Sequence, residues 1–318
     1  VYPTGIERPL ASSINNIQAG QTRPNLVTVP LGVDGKITFY ALGSVNVLAD
    51  VAGYYLPGTE AVAAGRFVAL NPERLFDTRP GTPASGHKGK LGPGEAIDVE
   101  VLGHAGVPTT GVSAVVINLT GTEADAPGFL TAYPTGQSLP LASNVNLSDP
   151  GTTAPNLAIV PLGPDGAITV YSSHGTHALG DVTGYITDST APVSVEGLFV
   201  PIAPERVFDT RDAGGPVAPD GTIDQAIAGT GHIPAGAVGV VLNVTGVDAP
   251  SPGFLTAWPT GTAPPLASTL NFWSTPTDTR ANAAMLPVGT DGKISFYVLA
   301  GGHVLADATG YYIGPEGL

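Results

Sequence analysis

Four charged residues stand close together in "PERLFDTR": Glu73, Arg74, Asp77 and Arg79. The phrase returns as "PERVFDTR", with Glu205, Arg206, Asp209 and Arg211. Two guanidinium groups beside two acids can do one of two things. They can form a fork that grips a carboxylate or a sulfated sugar, since arginine presents its donors in a planar array. Or they can close on each other as an internal ion-pair network. Asp181 and Asp307, in the later phrases "GDVTGY" and "ADATGY", are the natural further partners, expected to meet Arg79 and Arg211. Because the charges repeat and balance internally, the network is the expected reading.

A polar set recurs three times: Ser12, Asn15 and Asn25; Ser143, Asn146 and Asn156; Ser268, Asn271 and Asn282. Side chains of this kind beside Gly and Pro usually satisfy loop backbone groups. With nearby aspartates they could hold Ca²⁺ through oxygen ligands, although no stretch has the alternating acids of an EF-hand loop. No other cofactor is suggested. Tyr2, Tyr133 and Trp258 each precede "PTG". Such a ring can stack on a sugar, which makes Tyr133 and Trp258 candidate glycan contacts, or it can pack over the turn that follows. Asn118, Asn146 and Asn243 head formal N-glycosylation triplets, all within expected strands. Catalytic signatures are missing: there is no G-x-S-x-G, no H-E-x-x-H and no fixed relation between the six histidines and a nucleophile. The chain reads as a non-enzyme.

Those residues sit in a long repeat. "RFVALNPERLFDTR" (66–79) returns as "LFVPIAPERVFDTR" (198–211). "GFLTAYPTG" returns as "GFLTAWPTG". The later part of the unit occurs three times, in "VPLGVDGKITFY", "VPLGPDGAITVY" and "LPVGTDGKISFY", and again in "VLADVAGYY", "ALGDVTGYI" and "VLADATGYY". The period is about 130 residues, the scale of whole domains and far above the ~20–50 of solenoid repeats. Residues 67–187 and 198–314 are complete units, and 1–57 is the back half of a third whose front half is not in the sequence. The proline-bearing stretches 56–65 and 187–197 read as linkers. The expectation for 1–57 is a front half from earlier in a longer array, or strands donated by a neighbour, to cover the core face of Ile37 and Phe39.

No sustained helical periodicity occurs. Short β-branched and aromatic runs bounded by Gly, Pro, Asn and Asp predict an all-β fold of tandem β-sandwich or jelly-roll-like domains of about 120 residues, with a β-prism or small barrel as alternatives. Asp34-Gly35, Asp165-Gly166 and Asp291-Gly292 predict tight hairpin turns. "GTEADAPG" and "GVDAPSPG" predict short hairpin-like turns as well. "NLAIVPL" (156–162), apolar on both faces, predicts a central strand covered on both sides.

With 12 Lys and Arg against 26 Asp and Glu, the net charge is −14, which disfavours nucleic acid and anionic membranes as partners. No apolar run reaches membrane-span length. The chain has no cysteine, so disulfides and thiolate chemistry are excluded. Few lysines and many tight turns suit an extracellular setting.

The "ERLFDTR", "VVINLTGT", "GFLTAYPTG" and "DVTGY" series resembles a tandem repeat of large secreted or surface proteins of bacteria, of actinobacterial and green non-sulfur type. Phe76 and Phe208 stand where that repeat usually has leucine. The resemblance implies export and tandem arrays, and it brings no characterised activity. The functional expectation is a structural subunit of a cell-surface layer, filament or adhesive stalk that associates with copies of itself. The alternative is a carbohydrate-binding array recognising cell-surface or matrix glycans.

Overall fold

A computed structural model describes residues 1–318 apart from 17, 83, 85, 273–277 and 318. The second repeat has eight strands: β3 (Phe67–Asp77), β4 (Ala96–Glu100), β5 (Val112–Thr122), β6 (Gly128–Pro134), β7 (Val145–Leu147), β8 (Ala154–Pro161), β9 (Ala167–Ser172) and β10 (His177–Thr187). They form two four-stranded antiparallel sheets, ordered β3-β10-β5-β8 and β4-β9-β6-β7. The third repeat matches strand for strand: β11 (Phe199–Asp209), β12 (Gly221–Ala226), β13 (Ala237–Val247), β14 (Gly253–Pro259), β15 (Leu270–Phe272), β16 (Arg280–Pro287), β17 (Lys293–Val298) and β18 (His303–Ile313). Its sheets are β11-β18-β13-β16 and β12-β17-β14-β15.

This pairing is nested. The first strand meets the eighth, the second the seventh, the third the sixth and the fourth the fifth, as in one long hairpin rolled into a sandwich. That is a jelly roll, so the sandwich expectation holds and the barrel does not. It also means that front-half strands alternate with back-half strands in both sheets. No back-half strand in either complete repeat pairs with another back-half strand.

Three local expectations change. Two of the Asp-Gly pairs take positive φ at both residues, as at Asp291 (55°) and Gly292 (71°), whereas in Asp165-Gly166 only the glycine does (76°). However, the strands they join, β8 to β9 and β16 to β17, lie in different sheets, so the turn crosses the sandwich and makes no hairpin. The join between β5 and β6 crosses in the same way. Finally, β8 is an edge strand. It is apolar on both faces because Ala158 and Val160 enter the core of its own repeat, while Leu157 and Ile159 enter an apolar cluster shared between repeats.

Strand β5 follows the same rule: Val115, Ile117 and Leu119 point into the sandwich and Val116 into the shared cluster. That cluster joins Phe67, Val116 and Leu157 of repeat two to Val241, Met285 and Tyr312 of repeat three, with Leu26 of repeat one packed against it. Aromatic rings run through it, from Tyr55 to Phe199 (centroids 4.4 Å), Phe199 to Tyr312 (5.2 Å) and Tyr312 to Phe67 (4.5 Å).

Repeat one is different. Among its described residues only β1 (Tyr2–Pro3) and β2 (Ile37–Thr38) pair, in the register Tyr2↔Thr38 and Pro3↔Ile37. These match Tyr133↔Thr169 and Pro134↔Ile168 between β6 and β9. Ile37 is half-buried and Phe39 exposed, so the core face expected of them is open. The linkers are not loose. Arg66, buried with no acid partner among the described residues, donates to the carbonyls of Val62, Pro192 and Glu196 and ties both linkers together.

Candidate functional site

Positioned by β3 and β10, the Arg74 guanidinium bridges two carboxylates. Nε and Nη2 donate to Asp181 and Nη1 donates to Asp77 Oδ2 at 2.6 Å. Arg79 closes on Asp77 from the other side, with Nη2 to Oδ2 at 2.7 Å and its backbone N–H to Oδ1 at 3.0 Å. Repeat three reproduces the set: Arg206 joins Asp307 and Asp209, and Arg211 joins Asp209 at 2.7 Å. The expected partnering of Arg79 with Asp181, and of Arg211 with Asp307, is therefore replaced by Arg74 and Arg206. The reason is register: Asp181 lies opposite Arg74, and Asp307 opposite Arg206. Glu73 is exposed, and Glu205 turns instead to His232 Nδ1 at 2.6 Å. Neither glutamate enters the network.

The electrostatics follow burial and bonding. Burial pushes Asp77 up, but the hydrogen bonds and charge of Arg79, with the charge of Arg74, leave it below the ordinary carboxylate value. Hydrogen bonding to Arg211 holds Asp209 at about 2. Asp181 and Asp307 go the other way, because desolvation outweighs the attraction of their arginines. Every arginine of the set is engaged by an acid of its own repeat, so the geometry offers no open fork to a ligand.

Trp258 is 5% exposed and its Nε1–H donates to Thr262 O at 3.2 Å. The indole covers the turn after β14 and presents no face to a sugar, which removes it as a glycan platform. Tyr133 is half-buried. Asn118, 5% exposed, and Asn243 are held in contacts between repeats and cannot carry glycans in the folded chain.

Those contacts are where the recurring Asn positions converge. Asn282 Nδ2 donates to Asn118 Oδ1 (2.9 Å) and to Thr269 O (2.7 Å), and its Oδ1 accepts from Leu157 N–H (3.2 Å). Asn25 repeats this one step on: its Nδ2 donates to Asn243 Oδ1 (2.8 Å) and Ser13 O (2.6 Å), and its Oδ1 accepts from Ala283 N–H (2.9 Å). Repeat one thus holds repeat three as repeat three holds repeat two. Equivalent residues of all three, including Asn15, Asn146 and Asn271, line one polar cavity of about 120 Å³ with Arg23, Asp278 and Arg280. The repeats therefore turn about a common axis, and what reads as a linear array in sequence is a three-part ring in space. Burial and the nearby Arg280 lower Arg23 to about 10. Among the described residues no group of three or more His, Asp or Glu side chains gathers as a metal site.

A second repeated pair escaped the sequence reading. Thr78 Oγ1 lies 3.0 Å from His177 Nδ1, and Thr210 Oγ1 lies 3.0 Å from His303 Nδ1. The signal was present, since each histidine stands four residues before the aspartate of its network. Thr78 is fully buried and its oxygen also accepts from Ala178 N–H, which makes the pair a clamp on the start of β10.

No family model matches the chain, and no curated protein does. Two solved structures are similar at a low level. One is the N-terminal CBM22-1-CBM22-2 tandem domain from Paenibacillus barcinonensis Xyn10C, at 12% identity over 80% of this chain and 99% of that one, with a TM-score of 0.20. The other is the STIV MCP, at 8% identity over 71% and 94%, with a TM-score of 0.19. At such scores the topology rests on the strand ladders themselves.

Proposed function

We propose that this chain is a non-catalytic, extracellular structural protein, a building unit of a cell-surface layer, filament or adhesive stalk. The observation that supports this reading is how its repeats are joined. A buried apolar cluster rich in aromatic rings and crossed asparagine amides fix one repeat to the next, and the Arg–Asp side chains of each complete repeat are tied up inside it. A body of this kind transmits position and load, and its repeated charges are spent on holding each repeat together. Negative-stain electron microscopy of concentrated protein tests the reading. Ordered strings or sheets are expected, and dispersed particles at every concentration would overturn assembly. A glycan array is the companion test: silence is expected, and binding abolished by Tyr133→Ala would put the carbohydrate reading in its place.

A further inference from the structure

Two of the three joints in the ring are made, and the third is open. Asn156 occupies in repeat two the place of Asn25 and Asn282. Its Nδ2 donates to Asn144 O at 2.7 Å, as its counterparts donate to Ser13 O and Thr269 O. Its Oδ1, however, is buried with no partner among the described residues. By the pattern of the other two joints, that oxygen would accept from Leu26 N–H, and Nδ2 would also meet an asparagine equivalent to Asn118 and Asn243. That asparagine would belong to a front half of repeat one, which lies outside residues 1–318. On the same side, Leu48, Val51 and Tyr54 are 84%, 88% and 82% exposed.

We propose that residues 1–56 and the outer face of β8 form an acceptor for one front half of this repeat type, entering directly ahead of Val1 and completing the third jelly roll. Three observations fix the occupant. First, β1 and β2 already sit in the β6–β9 register, so a strand running back from Tyr2 lies along β2. Second, the front halves within residues 1–318 are already taken, because β3–β6 and β11–β14 are each paired within their own repeats. Third, the acceptor continues an existing interface: the cross-repeat cluster reaches Leu26 and Leu157 and stops there. The incoming central strand would lie between residues 23–30 and 46–56 and pair with both, as β5 lies between β8 and β10. This holds whether or not the protein assembles further.

The test is a fusion that places a second copy of residues 65–131 before Val1, compared with the 1–318 chain by hydrogen exchange. In the fusion, amides in 23–30, 37–40 and 46–56 are expected to exchange at least ~100-fold more slowly, as cooperative strands do. Unchanged exchange there overturns the proposal, including when the same segment added as a separate chain protects these residues. So does equal protection by an added segment of shuffled sequence. A second fusion carrying N118A in the added copy alone is expected to remain protected but to melt ~2–4 °C lower, the shift of one lost buried bond in a chain this size. No change in melting would overturn the placement of that asparagine against Asn156.

Discussion

Residues 47–55, "VLADVAGYY", and residues 304–312, "VLADATGYY", are nearly the same words with opposite fates. The second set lies in β18, paired on both sides, with Leu305 4% exposed and Tyr312 fully buried. The first forms no strand, and Leu48, the counterpart of Leu305, is 84% exposed. The difference lies in what stands beside them. In the nested pairing every back-half strand bonds only to front-half strands, so a back half by itself has an apolar pattern and no ladder. Pattern prepares a strand; its neighbours make it.

The sharpest way to break this comparison is to remove the same kind of interaction from both regions. Arg206→Met leaves Asp307 and Asp209 without their shared guanidinium, and truncating one side of such a buried pair costs about 3–5 kcal/mol. Asp50, the counterpart of Asp307, is exposed. Asp50→Asn is expected to shift stability by less than about 0.5 kcal/mol. Denaturant titrations measure both, and a large loss from Asp50→Asn would mean that repeat one is packed like the others.

Glycine offers a steric version. A Cβ on Gly310 would lie 2.3 Å from the Phe199 ring, and one on Gly184 would lie 2.3 Å from Phe67, whereas Gly53 has nothing within 4 Å. Gly310→Ala should therefore cost about 3 kcal/mol through overpacking, and Gly53→Ala should be silent in a thermal melt. Completing repeat one with a front half should make Gly53→Ala costly too.

The joints between repeats give a smaller contrast. Asn282→Ala removes bonds to Asn118 and Thr269 and strands the Leu157 amide, an expected loss of about 2–3 kcal/mol. Asn156→Ala deletes one bond, to Asn144 O, and an oxygen that had no partner, so about 1 kcal/mol is expected. Equal losses would mean that the open joint is closed in solution.

Much of this was legible in residues. The β class, the sandwich and the jelly-roll option came from turn spacing and β-branched runs, and the count of halves came from the repeat itself. What stayed hidden was pairing order. Asp34-Gly35 and its counterparts encode a sharp reversal, but dihedral preference does not say whether the next strand returns to the same sheet or crosses to the other. That is why β8 was read as central: its second apolar face is covered by another repeat, and a single unit's pattern cannot identify its cover. Trp258 failed as a site for a related reason. An aromatic before "PTG" reads alike whether it faces solvent or its own turn, and the bond to Thr262 O decides.

Acid titration carries the comparison to its finest scale. Asp209, held at about 2 by Arg211, is depressed below the ordinary 3.8. Its contribution is thus present above pH 4 and is lost as pH falls from about 4 towards 2, an expected drop of about 2 kcal/mol. Asp307 has the opposite sign. Burial raises it, so the folded chain takes up that proton more readily than the unfolded one, and stability grows as pH falls through its folded value towards 3.8. The two carboxylates of one network should therefore place maximum stability near pH 4. Asp209→Asn should reduce the acid limb, to which Asp77 contributes in the same sense, and Asp307→Asn should reduce the gentler rise above it, which Asp181 shares. Asp50, the only carboxylate of 46–56, is exposed, so hydrogen exchange in that segment should show no change across the same window beyond the intrinsic pH dependence of exchange. A monotonic loss of stability from pH 7 to 2 would reverse the sign assigned to Asp307, and with it the claim that burial rather than its arginine governs that aspartate.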